Sequence, residues 1–471
     1  MADASDMPRS PLGRLFRIEP GEAGGVVLSG VFFFLLLFGY FLIRPVREAM
    51  GVERSMDDLR TLFVGTCVLS LGVTLLFGSA VTNMDRSRFI PVALRVVVAC
   101  LVIFAGVRAS TSGSLGVWPG YVFYVWLSMV ALFLSSVFWA FMVDVWSLEQ
   151  SKRVFPAIAI GGTAGALLGS LFAWQMAAEI GAVGQMLLAA GCFEAAVWAM
   201  RAVDRRAKKT APEPGTGERA MERPGDWSAD GGAEASRKAG LGGRWIDGAV
   251  AVARSPYLLA IGAWIVLMAI SSTLIYFAQA RLVTDASEEL RDRISLFAQL
   301  DAWTQGATLL VQMFVTARLI RWIGVGGTLA LMPIVTALGF AALAWANASL
   351  EAWQVFAVFA VFNASHRATR YAVARPARET LFAVLPIDQK YKAKPIVDVF
   401  VYRGGDVAGA WTDGLMAKLA IGLTGMALAA VPLAVIWGGL SVWLAVEQRR
   451  RASKRNEQGA ALRVAHEGVQ V

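Results

Sequence analysis

Ionisable side chains recur at helical spacing along one apolar stretch in the last quarter of the chain. On a helix with 100° per residue, an arc of roughly 120° presents Lys394, Asp398, Tyr402, Asp406 and Asp413, with Arg403 at its border. An ionisable group surrounded by hydrocarbon costs at least ~2.5 kcal/mol, so such a stripe cannot face lipid. It either lines a water-filled cavity, where its cations could bind an anion, or forms ion pairs with neighbouring helices.

A second charged group closes the first apolar stretch. Arg44, Arg47 and Glu48 place two guanidiniums and one carboxylate about one helical turn apart. A guanidinium presents a planar fork of donors that matches phosphate oxygens, so this pattern also fits anion binding. The alternative is that long side chains at a helix end extend to the membrane interface.

Three further charges stand alone inside otherwise apolar stretches: Arg95, Glu194 and Asp301. A lone charge at membrane depth can contact a substrate or carry a proton. Equally, either carboxylate can neutralise an arginine on a neighbouring helix. The sequence leaves both interpretations open.

The residue patterns that most enzymes require do not occur in the sequence. The histidines are His366 and His466, and each of the three cysteines stands alone, so a metal centre is not expected. No nucleophile and base stand together and no phosphate-binding glycine loop is present, so we expect neither an enzyme nor a cofactor. The spacing of Gly161, Gly165 and Gly169 instead predicts close helix packing.

The composition indicates that these residues lie in a lipid bilayer. Apolar residues make up 56% of the 471 positions and charged residues 17%, far from the mix of a soluble chain. A helix needs about 20 apolar residues to cross the hydrocarbon core, where its own hydrogen bonds must satisfy the backbone. The sequence offers twelve candidate stretches, of which two in the second half are more polar than the others.

The twelve stretches form two sets of six. The first set is 26–43, 62–81, 89–107, 121–143, 155–176 and 183–203, and the second is 257–277, 297–315, 325–345, 350–374, 395–419 and 424–446. Gly, Pro, Ala, Ser and charge dominate the region between them, which is typical of a flexible linker. We therefore predict an all-α membrane protein with a bundle over 1–203, a linker over 204–244, a bundle over 245–448 and a basic tail over 449–471. Two six-helix bundles of this kind resemble the major facilitator architecture.

Basic residues indicate the orientation of the chain. If the N-terminus is inside, the linker, residues 375–394 and the tail place clusters of Lys and Arg on the cytoplasmic side, whereas the loops after the fifth and ninth segments hold none. We expect a multi-pass protein of a bacterial cytoplasmic membrane with both termini inside. The net charge of +9 then orients helices and contacts anionic lipid, and no nucleic-acid partner is expected.

Three stretches together resemble the ATP/ADP translocases, the nucleotide transporters of plastids and of bacteria that live inside other cells. Residues 40–51 are similar to the family pattern Y-x-x-L-R-x-x-K-D-x-L. Arg44 matches its arginine, while Arg47 stands at the lysine and Glu48 at the aspartate, so the charges are retained.

The other two stretches lie further along the chain. Residues 138–141 and 149–155 are similar to the family's F-W-x-F and E-x-x-K-R-F-Y, and 376–403 to P-x-K-E-x-x-Y-x-P-L-D followed by K-x-K-x-x-x-D-V and an arginine. Lys394 and Arg403 stand at matching positions of the last pattern. Directly afterwards the family has G-K-S-G-G where this chain has G-G-D, so a lysine is lost and an acid gained. The chain is similar to a divergent bacterial member.

The resemblance implies a secondary transporter that exchanges or co-transports nucleotides by alternating access, without hydrolysis. Cations would hold the phosphates, with membrane lipid around them. The implied ligands are, in order, Arg47, Arg403, Lys394, Arg44 and Arg95. Five carboxylates would orient them or carry a coupled proton: Glu48, Asp398, Asp406, Glu194 and Asp301.

Two other functions fit the same residues. One is a transporter or flippase of a different phosphorylated anion, such as a lipid-linked precursor. The other is a membrane scaffold or sensor that does not transport and uses the basic linker and tail to bind cytoplasmic partners. A scaffold would tolerate substitutions at Arg47 or Arg403, whereas a transporter would not. The sequence identifies no particular protein partner.

Overall fold

The protein is helical, with no β-strand, over the residues that the structure describes. The computed structural model describes residues 19, 22–80, 86–110, 117–210, 250, 252–314, 316–386, 389, 393–394 and 396–467. The predicted all-α class is confirmed over these residues.

The helices are long, and most of them coincide with a predicted membrane segment. In chain order they are α1 Ala23–Gly51, α2 Met56–Ala80, α3 Arg86–Ser110, α4 Trp118–Val145, α5 Leu148–Thr210, α6 Pro256–Ala286, α7 Leu290–Phe314, α8 Thr316–Ser349, α9 Ala352–Ala368, α10 Arg375–Ala383, α11 Tyr402–Lys418 and α12 Leu423–Glu467. Two π-helical segments lie among them, Thr369–Ala374 directly after α9 and Ile396–Val401 directly before α11.

Seven of the described helices are long and apolar enough to cross a membrane. One of these spans, Arg153–Ala207, has 55 residues, which is enough for two crossings at about 1.5 Å of rise per residue. These lengths support a protein that crosses the membrane several times. The count of twelve crossings stays a prediction, because the remaining predicted segments are more polar or lie partly outside the described residues.

Two of the longest helices bend at a glycine. Gly181 in α5 has a φ of 58° and Gly324 in α8 a φ of 66°. With ψ near 180°, this positive-φ conformation is occupied essentially by glycine, because it strains other L-residues by about 1–3 kcal/mol. The bend divides α5 into two arms that coincide with the fifth and sixth predicted segments.

Helix α5 packs against α1 through its glycines. A Cβ on Gly161 would lie 2.4 Å from the carbonyl oxygen of Gly30, and one on Gly165 would lie 2.3 Å from that of Phe34. A Cβ on Gly169 would lie 2.6 Å from a third carbonyl oxygen of α1. The backbones therefore approach as closely as the small-residue spacing predicted, and that packing role is confirmed.

Helix α11 packs closely against α6 through two glycines in the same way. A Cβ on Gly405 would lie 2.7 Å from the Cβ of Ala269, and one on Gly409 would lie 2.7 Å from the Cβ of Thr273. These contacts determine which face of α11 is turned towards α6. They also bring Asp406, which lies between the two glycines, within reach of Thr273 in α6.

Contacts divide the chain into two compact units. Unit 1 contains the described residues of Met1–Ser55, Gly72–Gly240 and Ser287–Ala302, and unit 2 those of Met56–Leu71, Leu241–Ala286 and Trp303–Val471. The start of α2 thus belongs to unit 2 and the start of α7 to unit 1. The domain boundaries predicted from the sequence stay a prediction. Residues 204–210 continue α5, most of the predicted linker lies outside the described residues, and 449–467 continue α12.

Candidate functional site

The charged stripe of the eleventh predicted segment contributes to three separate clusters, all in unit 2. Lys394 and Asp398 belong to the first cluster. Arg403 and Asp406 belong to the second, and Asp413 to the third. Ion pairing therefore accounts for much of the stripe, but the three clusters differ in their balance of charge.

The first cluster joins α10 to the second π-helical segment and is electrically balanced. Nη2 of Arg378 lies 3.2 Å from Oδ1 of Asp398 and 3.8 Å from Oε1 of Glu379. Nζ of Lys394 lies 2.7 Å from Oε2 of Glu379. Two cations thus meet two carboxylates, and Lys394 already has an acidic partner.

The second cluster surrounds Tyr402. Nη1 of Arg403 lies 3.1 Å from Oδ2 of Asp406, whose other oxygen accepts a hydrogen bond of 3.5 Å from Thr273. Nη2 of Arg370, in the first π-helical segment, donates to the hydroxyl of Tyr402. The Cζ atoms of Arg370 and Arg403 lie 5.5 and 6.0 Å from the centre of the Tyr402 ring, within the range of cation–π attraction.

Positive charge exceeds negative charge in this second cluster. It contains two guanidiniums and, among the described residues, one carboxylate, the 6%-exposed side chain of Asp406. Within the described part of the chain, Arg370 forms no ion pair, and its guanidinium contacts Tyr402 and the ring of Tyr371. A desolvated charge without an opposite charge is unfavourable unless a ligand or water compensates it. Among the described residues, this cluster therefore carries one more positive than negative charge.

The third cluster centres on Asp413, whose side chain is fully buried. Nε of Arg60 lies 2.7 Å from its Oδ2, and Nη2 of Arg281 lies 2.5 Å from its Oδ1. Arg60 also pairs with Asp57, which is 90% exposed. Arg60 lies in the part of α2 that belongs to unit 2, so this cluster joins a helix of the first half of the sequence to two helices of the second half.

A buried network in unit 1 involves three of the predicted site residues. Arg44 donates from Nη1 to Oδ1 of Asp301 in α7, and its Nη2 lies 3.8 Å from Oε1 of Glu48. None of the three side chains is more than 10% exposed. Helix α1 continues through Arg44 to Gly51, beyond its predicted end at residue 43, and this continuation buries the charges. The burial disagrees with extension to the membrane interface, and the ion pair agrees with the neutralising role considered for Asp301.

Arg47 belongs to the same network. It contacts Glu48, donates a hydrogen bond of 3.1 Å from Nη1 to the hydroxyl of Ser128, and its Cζ lies 5.1 Å from the centre of the Tyr124 ring. Ser128 and Tyr124 both lie in α4. The structure therefore brings Arg44, Arg47, Glu48 and Asp301 together, with two positive and two negative charges.

Arg95 and Glu194 pair with each other on the surface of unit 1. Nη2 of Arg95 lies 2.7 Å from Oε1 of Glu194, and its Nε lies 3.2 Å from Oε2. The two side chains are 44% and 35% exposed. This bidentate pair agrees with the alternative in which Glu194 neutralises an arginine of a neighbouring helix.

Residues 149–155, one of the stretches that resemble the nucleotide transporters, connect the start of α5 to the start of α1. Nη2 of Arg153 lies 3.0 Å from Oε1 of Glu22, and its Nη1 lies 3.1 Å from Oε1 of Glu19. Gln150 donates a further hydrogen bond of 3.0 Å to Glu22. These contacts hold the start of α1 against the start of α5.

The sequence patterns did not identify Arg370, Asn363 or His366 as candidate site residues. Asn363 and His366 are each 1% exposed. Nδ2 of Asn363 and Nε2 of His366 have no hydrogen-bond partner among the described residues. The spacing of three and then four residues places all three on one face of a helix. That spacing within an apolar segment is the signal that could have identified them.

Comparison with known proteins identifies the fold. No family model and no curated protein matches the sequence. A POT family transporter in complex with a thioalcohol-conjugated peptide matches with a TM-score of 0.57 and 10% identity, over 90% of this chain and 96% of that one. A mutant of the nucleoside transporter NupG matches with a TM-score of 0.56 and 11% identity, over 91% of this chain and 99% of that one. A bacterial homolog of the human lysosomal transporter Spinster, inward-facing and unoccupied, matches with a TM-score of 0.50 and 13% identity, over 92% and 98%.

At these identities the likeness establishes the fold. The chain has the major-facilitator-like fold of these transporters, as the two sets of apolar segments predicted. The narrower resemblance to ATP/ADP translocases stays a prediction.

Proposed function

We propose that this chain is a secondary transporter that moves a nucleotide, or a closely related phosphorylated anion, across the membrane by alternating access without hydrolysis. The observation that carries the proposal is the cluster around Tyr402, where two guanidiniums meet one carboxylate among the described residues. Charged groups inside a membrane protein are costly and mark substrate or ion pathways. A surplus of positive charge at such a place favours an anion as the substrate.

The fold supports transport as the activity. The similar proteins are transporters, and one of them carries nucleosides. Two-bundle transporter folds bind substrate near the midplane and expose it to either side in turn. The resemblance of residues 40–51 and 376–403 to nucleotide transporters supports a phosphorylated substrate.

We assign the phosphate groups first to Arg403 and then to Arg47 and Lys394. Each of these cations pairs with a carboxylate: Asp406, Glu48 and Glu379 respectively. A substrate phosphate would take the place of the carboxylate, so that one anion replaces another and the cation is never left uncompensated. The displaced carboxylates could then accept a coupled proton.

Binding and transport together test the proposal. The thermal unfolding midpoint of the purified protein is measured with ATP, ADP, AMP, adenosine and inorganic phosphate, because a ligand that binds only the folded state raises it. The protein is then reconstituted into proteoliposomes loaded with ADP, and uptake of labelled ATP is followed. We expect a shift with the nucleotides but not with adenosine, and saturable uptake.

Two variants make this test specific. Arg403→Ala should lose both the shift and the uptake, whereas Arg450→Ala, whose side chain is 68% exposed in α12, should keep both. Uptake of a different phosphorylated anion alone would support transport as the activity and show that the substrate is not a nucleotide. Absence of uptake for every nucleotide and phosphorylated metabolite tested, with folded protein, would overturn the proposal.

A further inference from the structure

A polar face on α9 and the first π-helical segment carries Arg370, one of the two guanidiniums near Tyr402, and two further residues with no role in the proposal so far. Asn363 and His366 lie on α9, and Arg370 follows in the π-helical segment Thr369–Ala374. At 100° per residue the three positions fall within an arc of about 60°. The helix therefore directs an amide, an imidazole and a guanidinium to one side.

All three side chains retain hydrogen-bonding capacity that the described residues do not use. Nδ2 of Asn363 and Nε2 of His366 are buried without a partner among those residues. Arg370 has five N–H donors, and its hydrogen bond within the described part of the chain goes to Tyr402. Buried polar groups are nearly always satisfied in native proteins, so a group left over calls for a ligand, an ion or water. Because donors predominate here, the matching ligand is rich in acceptors.

The surroundings of Arg370 orient its guanidinium. The ring centres of Tyr371 and Tyr402 lie 5.3 and 5.5 Å from its Cζ, so two aromatic side chains flank it. Tyr402 itself directly follows the second π-helical segment, Ile396–Val401. Segments of this kind are rare and frequently occur at functional sites. An oriented planar fork loses little conformational freedom when it binds two oxygens.

We propose that Asn363, His366 and Arg370 form a subsite for an anionic, oxygen-rich group, with Arg370 as the bidentate ligand of two oxygens of a phosphate or a carboxylate. Asn363 donates to a remaining oxygen of the ligand, and His366 forms a hydrogen bond with a neighbouring polar atom. The inference deepens the proposed function and rests on it in one respect, because the ligand is taken to be the transported substrate. Its ligands differ from those assigned above, since Arg403 forms an ion pair with Asp406 whereas Arg370 forms none among the described residues.

The subsite has a consequence for the protein without ligand. Arg370→Gln removes a positive charge that forms no ion pair with any described residue, so the thermal midpoint of the unliganded variant should equal or exceed that of the wild type. Arg44→Gln removes a charge paired with Asp301 and should lower the midpoint. The difference between the two midpoints distinguishes a residue that binds a ligand from one that stabilises the fold.

The test measures anion binding to the full-length protein in detergent by thermal shift and by titration calorimetry. The probes are ATP and inorganic pyrophosphate for phosphate, citrate for carboxylate, and adenosine as the uncharged reference. We expect Arg370→Gln to weaken binding of the preferred anion about ten-fold or more, the loss typical of a charged hydrogen-bonded contact. Arg370→Lys should recover part of it. Arg375→Gln, which removes an equal charge from an exposed position on the adjoining helix α10, should bind as the wild type does.

Each outcome decides the inference. Loss of binding in Arg370→Gln, with an unchanged or higher unliganded midpoint, supports the subsite, and preference between pyrophosphate and citrate identifies the group. Equal binding by Arg370→Gln and the wild type would overturn it, and so would the absence of binding of any anion to the wild type. If anions bind through Arg370 but no proteoliposome uptake is found, the subsite stands and the transport function fails. If uptake occurs and Arg370→Gln leaves its KM unchanged, transport stands and the subsite fails.

Discussion

Arg44 in α1 forms an ion pair with Asp301 in α7, a residue 257 positions later in the chain. Both side chains are buried within unit 1, at 10% and 1% exposure. The start of α7 is therefore held to a helix of the first half of the sequence by a desolvated charge pair. Breaking such a pair leaves one charge without compensation, which is more costly than removing both.

We predict that Asp301→Leu lowers the free energy of unfolding by about 3–5 kcal/mol, because it removes the nearer of the two carboxylates that compensate Arg44. The double variant Arg44→Met and Asp301→Leu should recover much of that loss. Thermal midpoints in detergent for both single variants and the double variant supply a complete double-mutant cycle. Additive losses would show that the two side chains do not depend on each other.

A second prediction concerns the contact between α1 and α5. Gly165→Ala places a Cβ 2.3 Å from the carbonyl oxygen of Phe34, so the helices must separate and stability should fall by about 1–3 kcal/mol. Gly191→Ala, in the second arm of α5, is the matched control because nothing lies within 4 Å of its Cβ. The control should be neutral or stabilising by up to about 1 kcal/mol, since alanine favours a helix. Equal midpoints for the two variants would contradict the close packing.

A third prediction concerns the shared carboxylate of Asp413. Asp413→Ala leaves both Arg60 and Arg281 without this partner, so it should destabilise the protein more than Arg281→Ala does. Asp57→Ala is the control, because its carboxylate contacts the same arginine but is 90% exposed and should leave the midpoint unchanged. Chemical denaturation of the wild type and of the three variants gives the order of their free energies of unfolding. A larger loss of stability in Asp57→Ala than in Asp413→Ala would contradict our assignment of Asp413 as the stabilising partner of Arg60.

The fourth prediction separates pairing from substrate binding at Arg95. Because Arg95 and Glu194 satisfy each other in a bidentate pair, exchanging them as Arg95→Glu with Glu194→Arg should preserve folding and the KM for uptake. Arg95→Glu alone sets two carboxylates against each other and should lower the amount of folded protein. Size-exclusion profiles and uptake in proteoliposomes measure both effects. A raised KM in the exchanged variant would return Arg95 to the substrate ligands.

The helical framework could be predicted from the sequence in some detail. Hydropathy located the segments that became α1, α3 and α4, because burial in lipid imposes the same length on every crossing helix. The four-residue spacing of the glycines in α5 indicated their packing, because it depends only on helix geometry. The end of α1 was placed too early, since charges at 44, 47 and 48 suggest an interface while the structure buries them in a helix that continues to Gly51.

The sequence could not predict which charged residues form ion pairs with each other. Helical periodicity put Asp406 and Asp413 on one stripe, yet one faces Arg403 and the other faces Arg60, which lies 353 positions away from it. The partner of a charge depends on which helix packs against it, and that packing is decided by contacts such as those of Gly405 with Ala269. Arg370 shows the limit most clearly, because only the packed structure reveals that it hydrogen-bonds to Tyr402 and forms no ion pair with a described residue.

The sequence by itself determined the class of this protein: a multi-helix membrane chain with charges that lipid cannot accept. Those properties are local, since hydropathy and helical spacing act over a few turns. The tertiary structure alone decided that Arg44, Lys394 and Asp413 form ion pairs whereas Arg370 forms none among the described residues. Electrostatic compensation is a sum over all groups within a few ångströms of a charge, and the folded packing of distant segments sets which groups those are.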